Sequence, residues 1–150
     1  MLLPTGTIAV GAREEWSDAG GLTVVERLAP RVALARSEGY YSDELEYFMR
    51  SRVAAMLDEL LPSTREPALQ VFCDWAGMTS YSAGARTRST SFVMQRRKQL
   101  ALVCILVHSP VVATGVSVAN MLLGGFLAAT MSREQFDEQL ARTVEAACER

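Results

Sequence analysis

A long segment without a charged side chain, from Gln99 to Ser132, is the feature that most constrains the fold of this chain. A membrane-spanning helix needs about 20 consecutive apolar residues. The first apolar run, LALVCILV, stops at His-Ser-Pro, and the second, Val111 to Thr130, is interrupted by polar residues and by Gly124-Gly125. The segment therefore predicts a buried strand, a turn, a buried helix and a short strand, with no membrane insertion.

The N-terminal third predicts three strands and a helix. The strand-like segments are TGTIAVGAR (Thr5–Arg13), GLTVVERL (Gly21–Leu28) and RVALARSEG (Arg31–Gly39). Their short links predict antiparallel pairing. From Ser42 onward, apolar residues recur at spacings of three and four, which indicates one face of an amphipathic helix that Pro62 ends. Either Ser42 or Asp43 can cap this helix.

Strands and helices alternate after Pro62. ALQVFC predicts a central parallel strand, followed by the stretch DWAGMTSYSAGARTRST and a helix that runs to about Lys98. LALVCILV, a helix opened by Ser109-Pro110 and closed by Gly124-Gly125, FLAATM and a last helix from Ser132 complete the order β-β-β-α-β-α-β-α-β-α. This order predicts one α/β domain over residues 1–150, with four helices and a mixed, largely parallel sheet that carries antiparallel strands at its N-terminal edge.

Composition excludes several classes of protein. The 150 residues are 49% hydrophobic and 21% charged, which is a globular balance. A net charge of −2 gives no overall attraction to nucleic acid. The N-terminus, MLLPTGTIAV, lacks the pattern of a signal peptide. Cys73, Cys104 and Cys148 are predicted to be reduced, buried thiols of a cytoplasmic protein, and neither they nor His108 have metal-ligand spacing. We therefore expect no metal and no cofactor.

The order of motifs, strands and helices agrees with that of a known family in three places. Asp74-Trp75 and then Met78-Thr79 lead from a central strand into a helix that opens with Ser82-Ala83-Gly84. The strand VCILV is followed by Ser109-Pro110-Val111, a helix of small residues and a glycine turn, and a short strand and a terminal helix come last. Over roughly Val24 to Val144 this layout resembles the STAS domain family, which comprises anti-sigma-factor antagonists and the cytoplasmic domains of sulphate transporters. The architecture is also similar to that of CRAL-TRIO lipid carriers.

The resemblance implies a regulatory protein without enzymatic activity that binds other proteins. In the antagonist branch, a partner kinase phosphorylates a serine in an Asp-Ser-Ser-Gly motif. Without a gap, Ser82 takes the place of the acid, and Ala83 and Gly84 take the places of the two serines. A shift of one residue puts Ala83 at the phosphorylated position. No serine therefore stands where the familiar switch needs one, and Ser82 remains the residue that could still carry a signal.

Two groups of residues are candidates for contact with a partner. The hydroxyls at the predicted helix start can bind an anion or cap the helix, and the basic residues that follow can dock phosphate or form a solvated face. This first group consists of Asp74, Thr79, Ser80, Ser82, Gly84 and Arg86. The second group lies on the uncharged helix and predicts a homo-oligomer or another apolar contact. It consists of Val111, Val112, Gly115, Val118 and Leu122.

Three functions remain open at the level of sequence. The first is a non-enzymatic cytoplasmic domain that acts through protein–protein contacts and forms a homo-oligomer. The second is a carrier of a small apolar ligand or lipid, with a pocket lined by the charge-free segment Gln99 to Ser132. The third is a hydrolase that uses Asp74, His108 and Ser82, although the chain lacks the Gly-x-Ser-x-Gly nucleophile elbow.

Overall fold

A computed structural model describes residues 6–60 and 68–148, which form a six-stranded sheet and four α-helices. A 3-10 turn at Arg97–Gln99 follows the second helix. The strands are β1 (Arg13–Ser17), β2 (Gly21–Ala29), β3 (Val32–Tyr41), β4 (Leu69–Tyr81), β5 (Leu100–Val107) and β6 (Ala128–Thr130). The helices are α1 (Asp43–Leu60), α2 (Ala83–Arg96), α3 (Pro110–Leu122) and α4 (Arg133–Cys148).

The strands lie in the sheet in the same order as in the chain, β1-β2-β3-β4-β5-β6. The β1–β2 and β2–β3 pairs are antiparallel, and the remaining pairs are parallel. Helical crossovers connect the parallel strands, as parallel pairing requires. The predicted fold class and element order are confirmed.

The two faces of the sheet carry unequal layers. Side chains of α1, α2 and α3 pack with one face in the larger hydrophobic core, whereas α4 packs on the other face in a smaller core around Phe72, Leu106 and Phe136. The phenyl rings of Phe72 and Phe136 meet edge to face, with centroids 5.8 Å apart. The larger core is the layer that contains the candidate site.

The first strand is not where the sequence pattern placed it. We predicted Thr5–Arg13, but β1 is Arg13–Ser17, and Thr5 lies outside the described residues. Gly6 and Gly11 have φ angles of 80° and 86°, which bend the preceding segment out of an extended path. The strand itself, REEWS, is charged, which is usual at a sheet edge that must not pair with another chain.

The fourth strand is longer than predicted. The sequence predicted a strand over ALQVFC alone, yet β4 continues through Asp74 to Tyr81. β5 pairs with it only as far as Trp75, and β3 pairs with it to Tyr81 with register shifts. The predicted ending of α1 at Pro62 lies outside the described residues.

The cysteines are free thiols in the structure. Cys73 and Cys104 are buried on adjacent strands and face different cores, and burial raises the pKa of both thiols. The prediction that all three cysteines are buried is wrong for Cys148, which is exposed near the end of α4. An exposed position does not need an apolar side chain for packing.

Candidate functional site

Ser82 lies where β4 gives way to α2. Its hydroxyl accepts a hydrogen bond from the N–H of Ala85 at 2.9 Å, so Ser82 is the N-cap of α2. The same hydroxyl donates to Oδ1 of Asp43 at 2.5 Å. Of the two caps that the sequence allowed for α1, Ser42 is the one used, since its Oγ accepts from the N–H of Leu45. Asp43 is thus left to bind α2.

A second set of polar contacts joins α1 to α2 one turn further along. Glu46 is fully buried, and its Oε2 lies 2.9 Å from Nε of Arg50. Arg88 pairs with both Asp43 and Glu46, and the hydroxyl of Ser89 lies 3.5 Å from Glu46. A carboxylate can be buried at this place because cations surround it. Arg88 and, further along α2, Arg96 through Asp58 therefore bind α1 rather than forming a fully solvated face.

Asp74 belongs to the opposite face of the sheet. Both of its oxygens accept from Arg133 at the start of α4, at 2.8 and 3.1 Å, and Oδ1 also accepts from the N–H of Ala76. The hydrogen bonds that Arg133 donates to the carboxylate of Asp74 raise the pKa of Arg133. Asp74 was predicted as a candidate for partner contact, but it is a buried residue of β4 whose carboxylate pairs with Arg133 of α4. It does not share a site with Ser82.

The remaining residues of the first group are spread around this junction. Thr79 is exposed, and its carbonyl oxygen accepts from the hydroxyl of Ser109 at 3.3 Å. Ser80 and Arg86 are half-buried. Gly84 lies against α1, where a Cβ would come within 3.0 Å of Oδ1 of Asp43. The structure therefore brings Ser82, Gly84 and Arg86 together at one helix start and leaves Asp74 apart.

The uncharged helix α3 divides into two faces. Val112 and Gly115 are buried against the sheet, so their assignment to an oligomer surface is wrong. Val111, Val118 and Leu122 are exposed by 55%, 41% and 63%. Met121 was not among the predicted residues, yet it is the most exposed of these side chains at 82%. Its position three residues after Val118 is a helical spacing that could have indicated it. We call Val111, Val118, Met121 and Leu122 the α3 face.

A cavity of about 100 Å³ lies between the sheet and the helices α1, α2 and α3. Its walls are mainly aliphatic and aromatic, with Val103 and Ile105 from β5 and Val116 and Ala119 from α3 among them. The charge-free segment therefore contributes part of the wall, as the carrier hypothesis expected. Residues of β3, α1, β4 and α2 supply the rest, and their contribution was not predicted from the sequence.

Aromatic rings line one side of the cavity. Tyr41 and Trp75 lie with ring centroids 5.8 Å apart, and Tyr81 and Phe92 also line the space. Burial raises the pKa of Tyr41 well above its ordinary value, and its hydroxyl donates to the sulphur of Met49 at 3.2 Å. The indole N–H of Trp75 is buried without a hydrogen-bond partner among the described residues.

Two solved structures share this architecture. An uncharacterised protein of the DUF3478 family with a SpoIIAA-like fold, from Shewanella loihica PV-4, matches with a TM-score of 0.56 at 16% identity over 83% of this chain and 98% of that one. The anti-sigma factor antagonist SpoIIAA in its unphosphorylated form matches with a TM-score of 0.54 at 10% identity over 80% of this chain and 97% of that one. The fold is of the STAS type. The resemblance read from the sequence is thus confirmed for the fold.

No protein-family model and no curated protein matches this sequence. Within residues 6–60 and 68–148, no helix is long and apolar enough to cross a membrane. The same residues contain no group of three or more histidine, cysteine or acidic side chains placed to hold a metal ion. The helix junction, the α3 face and the cavity are the features of this STAS-type domain that can support a function.

Proposed function

We propose that this chain is a non-enzymatic, cytoplasmic regulatory domain that binds another protein chain through the α3 face. The observation that carries the proposal is the exposure of four apolar side chains on a helix without a charged residue. Exposed apolar groups that cluster on one face are typical of contact sites. Covering them removes apolar surface from water, which favours association.

A second copy of the chain is the first partner to expect. In a two-fold contact each residue meets the same surface on the other copy, so a charged face would bring like charges together. The α3 face avoids this cost because α3 has no acidic or basic side chain. The STAS-type solved structures include an antagonist of an anti-sigma factor, which supports a role in protein binding but leaves the partner open.

Measurement of mass in solution tests the proposal. The wild-type chain is expected to show a concentration-dependent mass above that of the monomer by light scattering. Met121→Glu should abolish this increase, because it places a charge at the most exposed residue of the α3 face. Met94→Glu is the matched control, since Met94 is 54% exposed on α2 and lies outside the α3 face. A strict monomer that retains no partner in pull-downs would contradict the proposal.

The hydrolase hypothesis receives less support from the side-chain contacts. The carboxylate of Asp74 is held by Arg133, and the hydroxyl of Ser82 is held by Asp43 and Ala85. A nucleophile and its base need mutual hydrogen-bond reach. The contacts of Asp74 and Ser82 favour a structural role for each, and we propose no catalytic role for His108.

A carrier of an apolar molecule is the second candidate function. The cavity beneath α1, α2 and α3 favours it, because apolar ligand sites are enclosed spaces with mainly hydrophobic walls. Native mass spectrometry of the purified chain is expected to show an added mass that denaturation removes. The absence of any such adduct, together with no binding of added apolar probes, would remove this candidate.

A further inference from the structure

We propose that the cavity binds a small, uncharged molecule with one aromatic ring rather than a long acyl chain. The proposal rests on the second candidate function and specifies its ligand. It follows from the volume of the cavity, from the chemistry of its walls and from the weakness of its outer wall.

The volume limits the size of the ligand. An engineered protein cavity of about 150 Å³ with apolar walls binds benzene and stays dry when empty. The cavity here is about 100 Å³, which is close to that size. Two of its lining residues, Met49 and Met78, are flexible and can adjust to a ring. A long acyl chain would need several times this space.

The walls favour an aromatic ring over an aliphatic one. Tyr41, Trp75, Tyr81 and Phe92 can offer edge-to-face contacts, which add to the gain from burial alone. The sulphur atoms of Met49 and Met78 add favourable contacts with a ring edge. These contacts explain why we infer a single ring rather than a short alkane.

The charged groups at the cavity indicate a neutral ligand. Glu46 lines the cavity, but Arg50 and Arg88 already pair with it, and Ser89 lies within hydrogen-bond distance. Arg86 also lines the cavity, but it is half-exposed and water can solvate it. A charged ligand would leave water for walls that are mainly apolar, which costs free energy. A ring without a net charge avoids this cost.

The outer wall of the cavity is α2, and it is the place of entry. The lining residues of α2 are partly exposed apart from Thr90, whereas those of β5 and α3 are buried. Among its residues α2 buries Ala85 and Thr90, and its links to α1 are largely polar, through Asp43 and Glu46. Half-exposed ion pairs are weakened by salt. We therefore expect added salt to speed the entry and release of the ligand.

Titration with benzene and with palmitate tests the proposal. In methyl NMR spectra, benzene is expected to shift the signals of Val103, Ile105 and Val116 in a saturable way, and palmitate is not. Ala119→Leu fills the cavity from α3 and should weaken benzene binding at least about tenfold, with Ala119→Met as a second, more flexible filler. Ala141→Leu is the matched control, because Ala141 is an exposed residue of α4 and its replacement should leave binding within about twofold.

The possible results distinguish a wrong ligand class from a wrong carrier function. Saturable benzene binding that both fillers remove and the control keeps, in variants with wild-type circular dichroism, supports the inference. Binding of palmitate without benzene would overturn the inference about size while retaining the carrier function. Benzene binding that survives in both fillers would place the site elsewhere and overturn the inference. Binding of neither probe would overturn both.

Discussion

Ser82 connects α1, α2 and β3 by hydrogen bonds. Its hydroxyl donates to Asp43 at the start of α1 and accepts from Ala85 in the first turn of α2. Its backbone N–H donates to the carbonyl oxygen of Tyr41 at the end of β3, at 3.0 Å. The sequence predicted a capping role for this hydroxyl, but Asp43 lies 39 residues away in the chain and its contact with Ser82 could not be predicted from local spacing.

Replacement of Ser82 tests the cap. Ser82→Ala is expected to reduce the free energy of unfolding by about 1 kcal/mol, because an N–H of the first turn loses its acceptor. Ser82→Asn should retain most of the stability, since asparagine also caps helices. Urea denaturation measures both variants, with Ser91→Ala on the exposed side of α2 as the control. An equal loss in Ser82→Ala and Ser91→Ala would show that the cap contributes nothing.

Phosphorylation of Ser82 stays a prediction with a defined structural consequence. A phosphate would meet the carboxylate of Asp43, which now accepts the hydroxyl proton, and the two anions would repel each other. We expect the modified chain to have weaker contact between α1 and α2, visible as faster amide exchange in the first turn of α2. Incubation with lysate and ATP followed by phosphosite mapping tests the event itself. Absence of phosphate at Thr79, Ser80 and Ser82 in cells would contradict it.

Gly115 is required by a close approach between α3 and β4. A Cβ at this position would lie 2.6 Å from Cζ of Tyr81, so Gly115→Ala would displace the ring. We expect a loss of about 1–3 kcal/mol in the free energy of unfolding, as for other overpacked sites. Ser117→Ala, on the exposed side of the same helix, should have little effect. If Tyr81→Ala fails to reduce the cost of Gly115→Ala in a double-mutant cycle, the ring is not the cause.

At the scale of the elements, β4 shows what a sequence pattern can and cannot predict. Its first half pairs with both β3 and β5 and is therefore a central strand with a continuous apolar run. That run allowed this half to be predicted from the sequence. Beyond Trp75 it loses β5 as a neighbour and pairs with β3 alone. A strand with one neighbour tolerates glycine and hydroxyl residues, here Gly77, Thr79 and Ser80, which sequence reasoning assigns to loops.

The candidate site, too, could be predicted from the sequence only in part. The amphipathic period predicted which residues of α1 face the core, but buried Glu46 and Arg52 do not follow an apolar period and were missed. They are tolerated because partners from other elements approach them, such as Arg88 for Glu46 and Glu14 for Arg52. The absence of charge on α3 was visible in the sequence. Which residues of α3 are buried and which are exposed could not be predicted, because that depends on how the helix packs on the sheet.

Helix α4 is held on the sheet by few buried side chains, so its stability should be sensitive to their loss. Phe136 is its buried residue, at 1% exposure, and it packs on Phe72. Phe136→Ala is expected to lower the free energy of unfolding by about 3–5 kcal/mol, as for large core deletions. Amide hydrogen exchange should rise most in α4, whose other core contacts are partly buried side chains such as Leu140. A uniform rise over α1 and α4 would contradict separate opening of α4.

At the scale of the whole molecule, charged groups tie the N-terminal strands to α1. Nη1 of Arg27 on β2 lies 2.9 Å from Glu59, and Nε of buried Arg52 lies 2.8 Å from Glu14 on β1. The turn residue Asp18 accepts from Gly20, Gly21 and the hydroxyl of Ser42. These links join parts of the chain that local patterns treat separately, and they make the stability of the molecule depend on the ionisation of its acids.

Acid is therefore expected to weaken the whole fold through Asp18 and Glu59. Hydrogen bonds from Ser42 lower the pKa of Asp18 below 3.8, and those from Arg27 lower the pKa of Glu59 below 4.5. A carboxyl group whose pKa is lower in the folded state contributes stability above its unfolded pKa, and this contribution disappears as the pH falls through the folded value. Urea midpoints should be steady down to about pH 5 and fall below about pH 4. Asp18→Asn and Glu59→Gln should lower the midpoint at pH 7 and flatten its fall in acid, whereas the exposed Glu145→Gln should not. An unchanged acid profile in the double variant would assign the pH dependence to other groups.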